Sequence, residues 1–132
     1  MEKLRERIKD KECIIEIFGL GYVGFPLAVR LATNGFRVIG IDVNHERVNR
    51  LEKNELLDSE ISLKDEFMKC RERNLTLSVE SSKNELPKVG IICVPTPIPS
   101  ADISSDIFVK KAVESFLDNA KEGDCLILES SI

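Results

Sequence analysis

One stretch constrains this chain more than any other: Gly19-Leu20-Gly21-Tyr22-Val23-Gly24, with the apolar run Ile14 to Phe18 before it and Pro26 to Thr33 after it. Three spaced glycines alone say little. Three that close a strand pattern and open a helix pattern, with an acid about 20 residues further on, specify a turn built to hold a dinucleotide. The acid is Asp42, at the end of a second apolar run, Val38-Ile39-Gly40-Ile41. The three glycines serve different ends. Gly19 turns the chain tightly out of the strand, Gly21 lets a pyrophosphate approach the backbone, and Gly24 lets the helix pack on the strand. The helix N-terminus offers N–H groups and the positive end of its dipole to the phosphates. A glycine turn in some other α/β protein is the competing reading, and the strand–turn–helix context counts against it.

A chain of 132 residues has room for one domain with a single core. Its 32% charged and 42% hydrophobic residues are those of a soluble globular protein. A net charge of −4 lacks the basic face that nucleic-acid binding calls for. No apolar run approaches the ~20 residues of a membrane span, and the charged start, Met1-Glu2-Lys3-Leu4-Arg5, has no signal-peptide h-region. The expected setting is the cytoplasm, with no nucleic-acid or membrane partner. Cys13, Cys70, Cys93 and Cys125 form no CxxC pair and His45 is the one histidine, so no metal site is expected. Cys13, Cys93 and Cys125 lie in apolar strand-like runs and read as buried, reduced thiols. Nothing near them in sequence supplies the electropositive setting of a reactive thiolate.

Residues 1–11 read as a charged surface helix resting on the domain through Leu4 and Ile8, and residues 12–132 as the domain itself. Strand one spans 13–18. Glu16 is its misfit, because a central parallel strand is apolar on both faces and a buried unpaired carboxylate is costly. It either reaches solvent near an edge or has a partner the sequence does not identify. Pro26 suits a first helical turn; Leu27 with Leu31 and Ala28 with Ala32 give the helix its buried face, and Asn34-Gly35 ends it. Phe36 to Ile41 is strand two, completing a parallel βαβ unit. Asn44 caps a helix carrying Val48 and Leu51 inward. Ser59 or Ser62 caps the next, which runs to about Arg71 with Leu63, Phe67 and Cys70 on one face. Strands follow at 75–79 and 89–94, the second ending in Pro95-Thr96-Pro97-Ile98-Pro99. A helix over about 106–120 turns Phe108, Val109, Ala112, Val113, Phe116 and Leu117 inward, and 125–129 is the last strand.

Alternating strands and helices imply a doubly wound parallel sheet covered on both faces, a three-layer αβα arrangement. Ligands of such sheets bind beyond the carboxyl ends of the strands. The glycine turn, Asp42, the Pro95-Thr96 loop and Glu129-Ser130-Ser131 all fall at such ends. Asp42 is expected to accept hydrogen bonds from an adenosine ribose and to repel a 2′-phosphate, favouring NAD over NADP. Arg47 lies where it pairs with Asp42, reaches the cofactor, or reads an NADP phosphate; the residues leave these open. Thr96 between two prolines is a strand terminator or a wall of the cofactor pocket, and Glu129 is a surface acid or a site residue.

Four motifs in order resemble the UDP-glucose/GDP-mannose dehydrogenase family over roughly residues 12–132. They are Gly19-Leu20-Gly21-Tyr22-Val23-Gly24-Phe25-Pro26-Leu27-Ala28, Val38-Ile39-Gly40-Ile41-Asp42-Val43-Asn44, Cys93-Val94-Pro95-Thr96-Pro97 and Leu128-Glu129-Ser130-Ser131. The charged leader and residues 50–73 are most similar to bacterial and archaeal members that oxidise UDP-N-acetyl-hexosamines for polysaccharide biosynthesis. The resemblance implies a Rossmann-type fold and a two-step oxidation of a UDP-sugar at C6, alcohol to acid, with two NAD. It implies that Tyr22 and Val23 line the pyrophosphate turn, that Asp42 and Arg47 attend the adenosine ribose, and that Pro95 and Thr96 meet the nicotinamide half. Glu129 and Ser131 match positions near the reacting centre; the family usually has threonine where Ser131 stands. Ser105-Asp106-Ile107 stands where the family often reads Pro-Asp-Leu.

The family's nucleophilic cysteine, its dimer-forming central helix and its sugar-binding domain match nothing in this sequence. The chain is therefore expected to be a truncated cofactor-binding domain, inactive alone, of an enzyme that forms a homodimer or larger assembly. Two rivals stand beside this reading. One is a stand-alone NAD or adenine-nucleotide sensor. The other is a β-hydroxyacid dehydrogenase-type domain, which usually has methionine where Val23 stands.

Overall fold

The computed structural model describes residues 2–93 and 107–129. Its elements are α1 (Glu2–Lys9), β1 (Ile14–Phe18), α2 (Gly24–Thr33), β2 (Arg37–Ile41), α3 (His45–Glu52), a 3-10 turn (Asp58–Leu63), α4 (Lys64–Arg71), β3 (Leu75–Ser78), β4 (Lys88–Ile92), α5 (Ile107–Asp118) and β5 (Cys125–Leu128). The strands pair in the order β3-β2-β1-β4-β5, every pair parallel. The expected doubly wound sheet is what forms. Its winding direction reverses between β1 and β4, which opens a crevice beyond their carboxyl ends.

Strand alternation sorts the core into two layers. Ile15 and Ile17 of β1, Val38 of β2 and Leu75 of β3 face α2, α3 and α4, where Ala28, Val29, Ala32, Leu51, Phe67 and Cys70 are buried against them. The Phe25 and Phe67 rings meet at 5.2 Å between centroids and join α2 to α4. On the opposite face Phe18, Ile41 and Ile92 pack under Ala112 and Phe116 of α5. Gly90 makes room there: a Cβ on it would stand 2.7 Å from the Phe116 ring and 2.8 Å from Leu126.

Local signals account for most of the boundaries. Asn44 caps α3, its Oδ1 accepting from the N–H groups of Glu46 and Arg47 at 3.0 and 3.2 Å. The Gly35 N–H bonds the Ala32 carbonyl and the Phe36 N–H that of Leu31, ending α2 as expected. Leu4 of α1 is buried and Ile8 packs on the core, while Lys11 donates to the Asn34 carbonyl at 2.5 Å.

Three expectations need correction. Neither Ser59 nor Ser62 caps a helix. The segment opens as a 3-10 turn after Leu57, and Glu60 reaches back so that its Oε1 accepts the Leu57 N–H at 3.1 Å. Leu117 does not face inward but is 61% exposed, because the buried stripe of α5 runs through Ala112 and Phe116 and the next residue lies about 100° around the helix. Cys125 is half-buried rather than buried.

Glu16 does have a partner, and it is not near an edge. Glu16 and Lys88 are both completely buried, with Lys88 Nζ 3.4 Å from Glu16 Oε1. Parallel pairing of Ile14 with Lys88 puts both side chains on the α5 face. Ser81 Oγ donates to Glu16 Oε1 at 2.6 Å and the Ser82 N–H to Oε2 at 3.3 Å. Lys88 Nζ donates to Ser81 Oγ at 3.1 Å and the Ser82 carbonyl at 2.9 Å, and lies 5.0 Å from the centre of the Phe116 ring. Every charge in this cluster therefore has neighbours of the right kind, which is the condition for burying it.

Removing one member leaves the other uncompensated. Lys88→Met alone is expected to lower unfolding stability in urea by about 3–5 kcal/mol. The paired replacement Glu16→Leu with Lys88→Met should recover most of that loss. Equal losses for the single and the pair would show that the two charges do not compensate one another.

Candidate dinucleotide site at the glycine turn

The sheet itself holds the residues that follow each strand. Beyond β1 the Gly19 N–H bonds the Ile41 carbonyl at 2.7 Å; beyond β2 the Asp42 N–H bonds the Ser78 carbonyl at 3.1 Å. Beyond β4 the Cys93 N–H bonds the Phe18 carbonyl at 2.7 Å, and beyond β5 the Glu129 N–H bonds that of Ile92 at 2.9 Å. The carboxyl edge is thus a fixed shelf, because the ladder continues one residue past every one of these strands.

The glycine turn rises from that shelf. Gly19 has φ +98°, a conformation that side chains disfavour. Gly24 packs so closely that a Cβ on it would fall 1.6 Å from the Gly19 carbonyl oxygen. At Gly21 a Cβ would meet nothing within 4 Å. The empty space at Gly21 is thus on the outside of the turn, where a ligand approaches. Helix α2 begins at Gly24 with no side-chain cap at Val23; the Phe25 N–H bonds the Gly21 carbonyl, the Leu27 N–H bonds that of Val23 and Pro26 has none, so what the turn can offer an anion are the N–H groups up to Gly24.

Two charged side chains grip the peptide units of Leu20. Asp42 Oδ2 accepts the Leu20 N–H at 3.0 Å, and Oδ1 accepts the Asn44 N–H at 3.0 Å. Arg47 donates from Nε and Nη2 to the Leu20 carbonyl at 3.0 and 2.8 Å. The same guanidinium lies 5.3 Å from the centre of the Phe25 ring, and its Nη2 is 2.5 Å from Glu60 Oε2. The ion pair of Arg47 is therefore with Glu60 and not with Asp42. Each Asp42 oxygen accepts one N–H and keeps acceptor capacity toward the crevice.

A cleft of about 640 Å³ opens beside the turn, lined by Gly19, Leu20, Gly21, Asp42 and Arg47 on one side. Val79 and Glu80 after β3, Phe108, Lys111 and Ser115 of α5 and Asn119 just past its end form the other. Its size suits a nucleoside-sized ligand. The α5 wall is absent from the sequence expectations. Its signal is the polar spacing Lys111, Ser115, Asn119, which at i, i+4, i+8 shares one helix face. Tyr22 and Val23 lie outside this lining and are exposed, Tyr22 at 88%. Glu129 stands at the end of β5, away from the cleft and beside Cys93. Pro95, Thr96 and Ser131 lie outside the described residues.

Burial, with the Glu129 charge adding to it, pushes the Cys93 thiol up to about 11, and burial alone raises Cys13. Both therefore stay protonated near neutrality, the reverse of a reactive thiolate. Among the described residues no group of three or more His, Cys, Asp or Glu is placed to hold a metal, and no helix is long and apolar enough to cross a membrane.

A parallel sheet with its order reversing at β1 and β4, a glycine turn leading to an uncapped helix, and an acid at the end of β2 define a Rossmann-type dinucleotide-binding domain. Residues 13–132 match the UDP-glucose/GDP-mannose dehydrogenase family, NAD binding domain, and the chain belongs to that family. It is 38% identical, over its whole length, to 31% of a UDP-N-acetyl-D-mannosamine dehydrogenase from Methanococcus maripaludis. The fold is similar to the UDP-N-acetyl-mannosamine dehydrogenase of Staphylococcus aureus, with TM-score 0.78 and 28% identity over 90% of this chain and 29% of that one. It is also similar to a UDP-glucose dehydrogenase from Pyrobaculum islandicum, with TM-score 0.74 and 25% identity over 90% of this chain and 29% of that one. The chain thus spans about three tenths of the length of these relatives.

The second and third glycines of the turn are expected to behave differently. Gly24→Ala should cost about 1–3 kcal/mol or more in urea unfolding, because backbone must shift to admit the methyl. Gly21→Ala should leave stability within about 0.5 kcal/mol and weaken binding of NADH. Equal stability losses would contradict the placement of Gly21 on the open side of the turn.

Proposed function

We propose that this chain is the cofactor-binding part of an NAD-dependent dehydrogenase that oxidises the C6 alcohol of a UDP-sugar to the uronic acid. The observation that carries this reading is the Leu20–Asp42 contact. It fixes a carboxylate at the edge of the cleft beside a turn whose outer side is open at Gly21. The residues fit the group. Gly21 and the start of α2 would receive the pyrophosphate, and Asp42 the ribose hydroxyls. Val79, Phe108 and Ser115 stand where the adenine half would lie. NAD would supply hydride acceptance, two molecules in succession each taking one hydride and together the four electrons of the alcohol-to-acid conversion.

The chain's own residues do three things on this reading. The ladder bonds past β1 and β2 hold the turn and Asp42 at a fixed separation, so binding needs little reorganisation. Asp42 rejects a 2′-phosphate by charge. Tyr22 and Val23 project beyond the turn as an outer wall of the pyrophosphate site. Pro95 and Thr96 on the nicotinamide side, and Glu129 and Ser131 near the reacting centre, complete the assignment. The nucleophile, the sugar pocket and the surfaces that join subunits then belong to the part of the relatives that this chain does not span. UDP-N-acetyl-mannosamine is the favoured sugar, supported by the similarity to the Methanococcus and Staphylococcus dehydrogenases. A cytoplasmic setting is supported by four free thiols, which fit a reducing compartment.

Calorimetric titration tests the reading. NADH should bind saturably and more tightly than NADPH. Asp42→Ala should weaken NADH by roughly 10- to 100-fold, the size of hydrogen bonds to a charged acceptor. Tighter binding of NADPH than NADH by the unaltered chain would contradict the role given to Asp42.

A further inference from the structure

A basic residue shortly after β2, close to the ribose-reading acid, is where dinucleotide folds accommodate a 2′-phosphate. Arg47 occupies that place. It and Asp42 hold the backbone of the same residue, Leu20, and both line the same cleft. Judged by position alone, Arg47 would welcome the phosphorylated cofactor. Its surroundings are what prevent this.

Glu60 lies far from the glycine turn in sequence, on the 3-10 turn Asp58–Leu63. Its side chain is 6% exposed, and that of Arg47 is 13% exposed. One Glu60 oxygen meets Arg47 Nη2 at 2.5 Å while the other accepts the Leu57 N–H at 3.1 Å. With Nε and Nη2 on the Leu20 carbonyl and Phe25 across its plane, the guanidinium is committed on three sides. For Arg47 to swing toward a 2′-phosphate, it would abandon Leu20 and leave Glu60 as a buried, unpaired carboxylate. Breaking a buried pair in that way is strongly unfavourable.

We propose that Glu60 is a specificity-determining residue, which holds Arg47 on the glycine turn and so denies NADP the cation that would otherwise read its 2′-phosphate. Discrimination then rests on two devices. Asp42 repels the extra phosphate, and Glu60 withholds the charge that would offset the repulsion. The inference rests on the dinucleotide reading above.

The test is a comparison of NADH and NADPH affinity by calorimetry in the unaltered chain, Glu60→Gln and the pair Glu60→Gln with Arg47→Met. The glutamine keeps the size of the side chain and its bond to the Leu57 N–H but releases the cation. The NADPH-to-NADH ratio of dissociation constants should fall about tenfold in Glu60→Gln, the effect of one charge-assisted hydrogen bond. It should return to the original value in the pair, because the gain passes through Arg47. Glu60→Asp, which withdraws the carboxylate by one methylene, should move the ratio the same way by less, and serves if the glutamine variant does not fold. An unchanged ratio in a folded Glu60 variant, or a gain that survives loss of Arg47, would overturn the inference. Failure of the unaltered chain to bind NADH at all would instead overturn the dinucleotide reading, and this inference with it.

Discussion

The backbone around Leu20 is held from both sides, its N–H by Asp42 and its carbonyl by Arg47, and the geometry of the site depends on that grip. A turn containing three glycines has little conformational preference of its own, since glycine is the residue with most freedom to lose. Here the freedom is removed from outside. Strand pairing fixes Gly19, the close approach of Gly24 to the Gly19 carbonyl fixes the start of α2, and the two charged side chains fix the residue between. Asp42 directly follows β2 and Arg47 sits in the first turn of α3, so the segment that leaves the βαβ unit clamps the phosphate turn that unit carries. The free energy of ordering the turn is met during folding, before a ligand arrives, which favours binding.

Below the cleft lies the other polar feature, the Glu16–Lys88 pair. Buried ion pairs stabilise little compared with apolar side chains of the same volume, so its value is better sought in what it organises. It gathers Ser81 and Ser82, and the Ser81 N–H in turn donates to Ser115 Oγ at 3.0 Å while Asn119 donates to the Ser81 carbonyl at 3.2 Å. Ser115 and Asn119 belong to the α5 wall of the cleft. The pair therefore joins β1 and β4 to both the wall and the segment after β3. Gly90 and Phe116 complete the fit, since any larger residue at 90 would push α5 away.

Features decided by short-range chemistry are legible in the sequence. The glycine turn, the Asn44 cap, the end of α2 at Gly35 and the alternation of strands and helices all follow from neighbours in the chain. What is not legible depends on register and on crossovers. Glu16 stands out as a misfit, but Lys88 becomes its partner only once β1 and β4 pair as they do. Arg47 is recognisable as a site residue with three open roles. Glu60, which chooses among its partners, sits in a segment whose sequence points to helix caps at Ser59 or Ser62 instead. The polar face of α5 is hidden by the apolar residues interleaved with it. In each case the missing information is which distant side chain completes a charge.

On this reading the glycine turn, held by Asp42 and Arg47, is a preformed receptor for a dinucleotide. An amide-resolved NMR titration of this chain with NADH tests it most directly. Saturable shifts should cluster at Gly19 to Gly24, at Asp42 and along the cleft face of α5, with the rest of the sheet unmoved. Saturable shifts confined to another surface, or widespread shifts showing that the turn is reorganised by the ligand, would contradict it.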